Sequence, residues 1–329
     1  MQLSKLYAIV YVVGLVMLIT AGCVERADTA PKGPAVFLTV DFQQGQTLSY
    51  KFVSERKILT NWSPDKNDPK GIKESVESVE TVVDYEPLEV NPFGLSKIKA
   101  TFRTVESKMT GTRGKHTDAV DKLKGKSYTF TVGPDGKIKN RDELMAILKD
   151  AAQSAFRDST KEPDLLDDVL VTQWYLWDAI TSIEKPAQGI KVGQTWKSNL
   201  MIPTSMVLRV ARDVTYILAE VRQTETGAVA VFDSTYSKSE TKPDAPLPYD
   251  KSFRLAGTFG FFRAMFKGFS ITSLEGQGQE LFDINSGRII SGEQNYKFTL
   301  KPNEAPLPGA DPVINIEQKI TMQLLDQDN

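Results

Sequence analysis

The sequence has very few of the residues on which most active sites and metal centres are built. Its 329 residues include one cysteine, Cys23, and one histidine, His116. A single cysteine allows no disulfide within the chain, and the zinc ligand sets built from cysteine and histidine are excluded. A nucleophile activated by histidine would depend on His116, which stands in a polar run typical of a solvated loop. We therefore expect a non-enzymatic protein with no catalytic residues, no metal and no cofactor.

An excess of charge of either sign is lacking as well. Charged residues make up 25% of the sequence, hydrophobic residues 40%, and the net charge is −2. These values are ordinary for a globular protein and give no basic field that would attract nucleic acid. No glycine-rich phosphate loop follows a strand and begins a helix. Carboxylates are plentiful, so a carboxylate-based hydrolase stays open as a less favoured alternative, although no spacing points to one.

The first residues of the chain predict export. Residues 1–5 carry one positive charge, residues 7–19 are almost wholly apolar, and residues 20–22 are small. This order is typical of a secretory signal peptide, and the apolar run is short for a membrane span. An ordinary signal peptide, or an uncleaved anchor followed by a buried cysteine, is the alternative to the interpretation that follows.

Ala21-Gly22-Cys23 resembles the lipobox of bacterial lipoproteins, although Thr20 stands where that family usually has an aliphatic residue. The resemblance implies a signal peptide over residues 1–22, lipidation of Cys23 and anchoring in a membrane, because acyl chains on one residue together give stable attachment. In well-studied lipoproteins, an aspartate directly after the lipidated cysteine retains the protein at the inner membrane. Val24 stands at this position here, so the resemblance favours the outer membrane. The implied location is the periplasmic side of the cell envelope.

Most of the remaining chain has the period-two pattern of β-strands. Leu48, Tyr50 and Phe52 alternate with polar residues, and the Gly-Pro-Asp-Gly sequence at 133–136 predicts a hairpin. Helical spacing is confined to residues 142–156, with Asn140 as N-cap, and to residues 164–183. The sequence predicts a β-dominated α+β fold in which helices cover one face of antiparallel sheet.

Several short motifs recur in the same order in the two halves of the body. Residues 44–48 are echoed by residues 192–196, and the hairpin at 125–138 is echoed at 276–289. We interpret this as two tandem curved antiparallel β modules with helices between them. The expected divisions are a lipidated N-terminus and tether at 23–34, a first β module at 35–139, a helical connection at 140–190 and a second β module at 191–329.

Two further stretches are candidate binding sites. Asp164, Asp167 and Asp168 lack the spacing of an EF-hand loop, and we interpret them as acids favoured by the dipole of a helix start. Residues 252–270 are rich in phenylalanine and cations, which predicts contact with a lipid, a membrane interface or an apolar ligand, or else a segment that simply packs inward over the core. The residues proposed for such contact are Phe253, Phe259, Phe261, Phe262, Phe266, Phe269, Arg263 and Lys267.

The Gly-x-x-Trp sequence at 193–196 and the Gly-x-Gly-x-x-x-Phe-Asp sequence at 276–283 resemble those of a family of bacterial envelope lipoproteins for which no catalytic residues are known. The motifs are short, but the resemblance runs over most of the chain. The expected architecture is also similar to the lipoprotein-carrier fold, which holds acyl chains in a half-barrel, and this likeness does not fix function. We expect an anchored protein that binds a lipid or other apolar ligand between sheet and helices; the alternative is a structural or interaction module that docks another envelope protein.

Overall fold

Antiparallel strands make up most of the structure, a computed structural model. It describes residues 31–62, 71–110, 117–157, 161–162, 164–203, 210–225, 227–242, 245, 267–304 and 311–326. All of them belong to the unit Pro31–Asn329. The proposed signal peptide, Cys23 and His116 lie outside the described residues. No described helix is long and apolar enough to cross a membrane.

Fifteen strands are defined within the described ranges. In chain order they are β1 Lys32–Val36, β2 Leu48–Asn61, β3 Ile72–Val90, β4 Ser96–Thr110, β5 Thr117–Asp118, β6 Ser127–Val132, β7 Ile138–Lys139, β8 Lys161–Glu162, β9 Ile190–Val192, β10 Thr195–Met201, β11 Ala211–Thr224, β12 Gly227–Lys238, β13 Phe269–Asp283, β14 Arg288–Pro302 and β15 Val313–Leu324. Eleven of these form one antiparallel sheet in the order β10-β11-β12-β13-β14-β15-β2-β3-β4-β6-β7. The prediction of a β-dominated α+β fold is confirmed.

The strands of the two predicted modules lie side by side in this one sheet. β15, the last strand, pairs with β2 along its full length, from Val313 opposite Asn61 to Leu324 opposite Tyr50. The predicted hairpins are present as β6–β7 and β13–β14. The halves are therefore joined by continuous backbone hydrogen bonding, and their boundaries as separate modules stay a prediction.

The described α-helices lie between β7 and β9 in the chain, and short 3₁₀ helices cover Ala119–Leu123 and Pro186–Gln188. The α-helices are α1, Asp142–Arg157, α2, Leu166–Trp174, and the single turn α3, Asp178–Thr181. The prediction of one helix over 164–183 is wrong, because the chain turns at residues 175–177 so that the Trp177 ring packs against Phe42 and Phe130, with centroids 5.8 and 6.2 Å away.

The predicted N-cap of α1 is wrong by one residue. The first helical hydrogen bond runs from the amide of Met145 to the carbonyl of Arg141, so Arg141 is the cap residue. Asn140 has a φ of 58°, a left-handed conformation that asparagine tolerates better than most residues.

These helices cover one face of the sheet, which we call the covered face; no helix of the described residues lies on the other, which we call the uncovered face. On β2, alternate residues separate cleanly: Leu48, Tyr50, Phe52, Ser54 and Arg56 are buried on the covered face. Lys51, Glu55 and Lys57 lie on the uncovered face. This alternation is the period-two pattern from which the strand was predicted.

Residues 31–42 form a strap across one end of the sheet. β1 pairs with β9, and Leu38, Val40 and Phe42 are then buried in the core. The strap holds both hairpin turns, because Val40 N donates to Pro134 O at 2.9 Å and Asp41 N donates to the Gly287 carbonyl at 3.1 Å. We call the end of the sheet at which these contacts lie the strap end. The turns at 91–95, 133–136 and 284–287 lie at the strap end, whereas β3 begins at the opposite end.

Candidate functional site

Several groups of polar side chains are buried on the covered face, and two of them surround an arginine. Such groups are costly to bury unless they are hydrogen-bonded, so they mark positions with a structural or functional role. The first group surrounds Arg56 on β2, and the second surrounds Arg212 on β11.

Arg56 connects the sheet to helix α2. Its Nε lies 2.6 Å from Glu77 Oε2, its Nη1 lies 2.9 Å from Asp168 Oδ2, and its Nη2 donates to the Asp164 carbonyl at 2.9 Å. Burial raises the pKa of Asp168, and the adjacent Arg56 charge opposes that shift. The three contacts use both sides of the guanidinium, so Arg56 is fixed in position.

Two neutral side chains complete the Arg56 cluster. Ser54 Oγ donates to Asp168 Oδ1 at 2.6 Å, and Gln318 Nε2 donates to the same oxygen at 2.9 Å. Asp168 does stand in the first turn of a helix as predicted, but its carboxylate bonds to three side chains of the sheet. The cluster therefore attaches α2 to β2 and β15.

The buried charge of Arg212 is balanced by a different kind of contact. Its guanidinium carbon lies 4.8 Å from the ring centroid of Tyr236 and 4.4 Å from that of Tyr296, and its Nη2 donates to Gln294 Oε1 at 2.8 Å. Nε and Nη1 have no hydrogen-bond partner, and no carboxylate of the described residues lies within ion-pair distance. A fully buried cation here is held by two aromatic faces and one amide.

Two glycines of β13 make room for this aromatic cage. A Cβ atom on Gly276 would lie 2.4 Å from Tyr296 Cβ, and one on Gly278 would lie 2.6 Å from the Tyr236 hydroxyl. Only glycine fits at such close approach. The Gly-x-Gly sequence that suggested a family resemblance thus has a packing role beside Arg212.

Next to the cage is a cavity of about 40 Å³ on the covered face. Glu280 lines it, and its buried Oε1 has no hydrogen-bond partner. Burial and the charge of Asp178 raise the pKa of Glu280 to about 8. The cavity has room for about three water molecules and none for an acyl chain or a sugar.

Asp178 is the second acid near this cavity. It begins α3 and accepts hydrogen bonds from Ser198 Oγ and from the Tyr216 hydroxyl, both at 3.0 Å. Burial raises the pKa of Asp178 to about 6, against the effect of these hydrogen bonds. Two acids with raised pKa values would suit acid–base chemistry, but the cavity that Glu280 lines is too small for a substrate.

The uncovered face has a much larger hollow, of about 840 Å³, over the middle of the sheet. One row across it, in register on adjacent strands, is Glu275, Lys297, Glu317 and Lys57. The next row is Gln277, Asn295, Lys319 and Glu55. Acids, bases and amides alternate, so the lining offers donors and acceptors to a polar partner.

The structure brings few of the residues singled out in the sequence to either site. Of the phenylalanine-rich set, only Lys267 and Phe269 are described. Lys267 is exposed and its Nζ lies 2.7 Å from Glu304 Oε2, while Phe269 begins β13 and packs against the core. The other six residues and Cys23 lie outside the described residues, so their roles stay predictions.

Sequence reasoning missed Arg56, Arg212 and Glu280. A signal for Arg56 was present: the alternation of Leu48, Tyr50 and Phe52 continues through Ser54 and Arg56, which places a charge on the face already assigned to the core. Finding its partners was not possible, because Asp168 is 112 residues away in the chain.

Comparisons with known proteins place the chain in no family: no family model matches it, and no curated protein matches it. Among solved structures, it is similar to lipovitellin, in a study of lipid–protein interactions, with 13% identity, a TM-score of 0.42, 87% of this chain covered and 26% of that one. The chain thus spans about a quarter of the length of that relative.

Two bacterial structures are also similar. A candidate exported protein from Bacteroides fragilis with a YmcC-like fold has 11% identity and a TM-score of 0.21, over 88% of this chain and all of that one. OpdL from Pseudomonas aeruginosa has 8% identity and a TM-score of 0.18, over 85% of this chain and 99% of that one. Likenesses at this level do not decide function.

Proposed function

We propose that this protein is a non-enzymatic envelope protein, anchored by lipid on Cys23, that binds a polar segment of another envelope protein in the hollow of the uncovered face. The observation that carries the proposal is the contrast between the two faces. Among the described residues, the covered face shows a cavity of about 40 Å³ beside buried side chains, whereas the uncovered face shows an open hollow of about 840 Å³.

The size and chemistry of the hollow support a polar partner. Its volume is within the range of about 300–1,000 Å³ typical of ligand sites. Ion pairs are present at its lining: Lys297 Nζ lies 2.9 Å from Glu317 Oε1, and Lys319 Nζ lies 2.9 Å from Oε2 of the neighbouring Glu293. Val76 is the one exposed large apolar residue of the lining.

The anchoring part of the proposal rests on the sequence. The single cysteine stands directly after small residues at the end of an apolar run, where lipid chemistry needs it. We expect Cys23→Ala to release the protein from bacterial membranes, measured by sedimentation of the full-length chain, with Cys23→Ser giving the same result. If the Cys23→Ala protein still sediments with membranes, the lipidation hypothesis is wrong.

Site-specific photo-crosslinking in living bacteria tests the binding part. A photoreactive residue replaces Asn295 inside the hollow. The matched control replaces Glu106 of β4, which is exposed on the same face of the sheet but lies outside the hollow. We expect one defined protein adduct at position 295, lost on adding Lys297→Glu, and none at position 106.

The function first expected from the sequence, binding of an apolar ligand or lipid between sheet and helices, gives a different result; the interaction proposed here was the alternative. In that case organic extraction of the purified protein would yield a stoichiometric lipid, and position 295 would give no protein adduct. Equal labelling of positions 295 and 106 would contradict the interaction proposal.

A further inference from the structure

Two phenylalanines are exposed at the strap end of the sheet. Phe93 is 86% exposed in the turn between β3 and β4, and Phe37 is 59% exposed in the strap itself. Large aromatic side chains bury much apolar surface when they find a partner. Exposed singly at the surface they need no explanation; at the end of the sheet where the tether from Cys23 joins β1, they are candidates for contact with a partner.

The turn that carries Phe93 is well ordered by its own hydrogen bonds. Asn91 Oδ1 accepts from the amides of Phe93, at 2.9 Å, and Leu95, at 3.0 Å, and the Gly94 amide donates to the Asn91 carbonyl at 3.0 Å. Gly94 has a φ of 77°, which favours glycine. The backbone therefore holds Phe93 in one outward position.

This turn is packed directly onto the elements that the strap holds. A Cβ on Gly94 would lie 3.4 Å from Pro134 Cβ, and the Pro134 carbonyl accepts the hydrogen bond from Val40 of the strap. Phe93, the Pro134 turn and the strap therefore form one continuous surface at one end of the sheet.

Chain length limits which part of the protein can approach the anchored lipid. Lys32, the first residue of β1, follows Cys23 by nine residues, which span at most about 30 Å when fully extended. β3 has 19 residues and runs for about 60 Å from its first residue, Ile72, at the opposite end. A sheet standing on its opposite end would hold the strap end farther from the bilayer than the tether reaches, so the tether favours orientations in which the strap end lies near the bilayer.

We propose that the strap end is a membrane-docking surface. Phe93 enters the interfacial region of the lipid bilayer in which Cys23 is anchored, and Phe37 lies against the surface of the same bilayer. This inference rests on the proposed lipid anchor. A phenylalanine ring on a rigid turn loses little conformational freedom on insertion, and its apolar surface is then buried at the boundary between headgroups and acyl chains. The sheet then projects away from the bilayer, which leaves the hollow accessible to a partner.

Quenching of tryptophan fluorescence by brominated acyl chains tests the inference. Full-length lipidated protein carrying Phe93→Trp is reconstituted into phosphatidylcholine vesicles with brominated chains, and the wild-type signal is subtracted. The matched control is Ile72→Trp, because Ile72 is also exposed, at 49%, but begins β3 at the opposite end. We expect at least threefold stronger quenching at position 93 than at 72, unchanged by salt.

Each other result is decisive. Equal quenching at the two positions would mean that the sheet lies flat on the bilayer. Stronger quenching at position 72 would mean that the opposite end, not the strap end, contacts the bilayer. Either result overturns the inference. No quenching at either position, in protein whose mass shows the acyl groups, overturns docking and leaves the lipid anchor intact. Protein whose mass shows no acyl group contradicts the proposed anchor, and the inference fails with it.

Discussion

Arg56 and Arg212 are both almost fully buried on the covered face, yet their charges are balanced in different ways. Arg56 lies between two carboxylates, Glu77 and Asp168, and all of its contacts are hydrogen-bonded. Arg212 lies between two tyrosine rings, with one hydrogen bond to Gln294 and two unpartnered nitrogens. The same sheet therefore solves one physical problem, a buried cation, by ion pairing in one half and by aromatic contact in the other.

The difference indicates how each region tolerates change. In the Arg56 cluster the carboxylates are also buried, so each charge needs the other. In the Arg212 cage the rings and the amide are neutral, so removal of the cation leaves no unpaired charge among them, although Gln294 Oε1 loses its donor. We interpret the Arg56 cluster as the attachment of α2 to the sheet, and the cage as a packing solution around Gly276 and Gly278.

The largest expected effect is from removing Arg56. Arg56→Met leaves two buried carboxylates without a counter-charge, and we expect the free energy of unfolding to fall by about 3–5 kcal/mol. Arg212→Met loses cation–π contacts and one hydrogen bond, with an expected loss of about 1–2 kcal/mol. Urea denaturation measures both.

The double variant Arg56→Met/Asp168→Asn is the control for this interpretation, since it removes one of the two carboxylate charges that Arg56→Met leaves without a counter-charge. We expect it to be more stable than Arg56→Met alone. Equal losses for the two arginine variants would mean that ion pairing does not distinguish the two regions.

Alanine at the glycines of the aromatic cage is expected to have an intermediate effect. A Cβ at Gly278 would lie 2.6–2.7 Å from the Tyr236 and Ser234 oxygens, so Gly278→Ala should cost about 1–3 kcal/mol by overpacking. Gly292→Ala is the matched control, because its Cβ would meet Met322 at an ordinary 3.5 Å. Thermal unfolding of the two variants should differ; the same melting temperature would argue against a tight cage.

The smallest expected effect is a pH dependence of stability at Glu280. Its pKa is raised to about 8 in the folded protein, from 4.5, so the folded state binds the extra proton between these values. The stabilising contribution is present below pH 4.5 and is lost as the pH rises through 8. Since the cavity has room for water, we expect a loss on the order of 1 kcal/mol.

Glu280→Gln keeps the shape of the side chain and removes its titration. We therefore expect this variant to be more stable than the wild type at pH 9 and to lose the corresponding slope between pH 5 and 9. Asp178, whose pKa is raised to about 6, contributes its own slope at lower pH in both proteins. Parallel curves for the two proteins would show that Glu280 does not titrate in this range.

Much of the fold was predictable because its signals are local. The alternation along β2, the turn residues of the β6–β7 hairpin and the amphipathic spacing of α1 each specify one element. The break between α2 and α3 was not predictable from spacing, because it follows from the packing of Trp177 against Phe42, which is 135 residues earlier in the chain.

The sites were less predictable than the elements. The lining of the hollow alternates with core residues on five strands, and each of its charged residues taken singly is typical of an ordinary solvated strand face. Only the register that sets Lys57 opposite Glu317, and Glu317 opposite Lys297, turns these residues into one surface.

The sequence by itself gave reason to expect export, a β-dominated class and alternating burial along strands such as β2, because these depend on composition and on a period of two. The tertiary structure decided that both halves share one sheet, that Arg56 meets Asp168, and that the strap, the Phe93 turn and both hairpin turns lie at one end. Those outcomes depend on pairings between residues far apart in the chain, and no local pattern records which distant partner gives the lowest free energy.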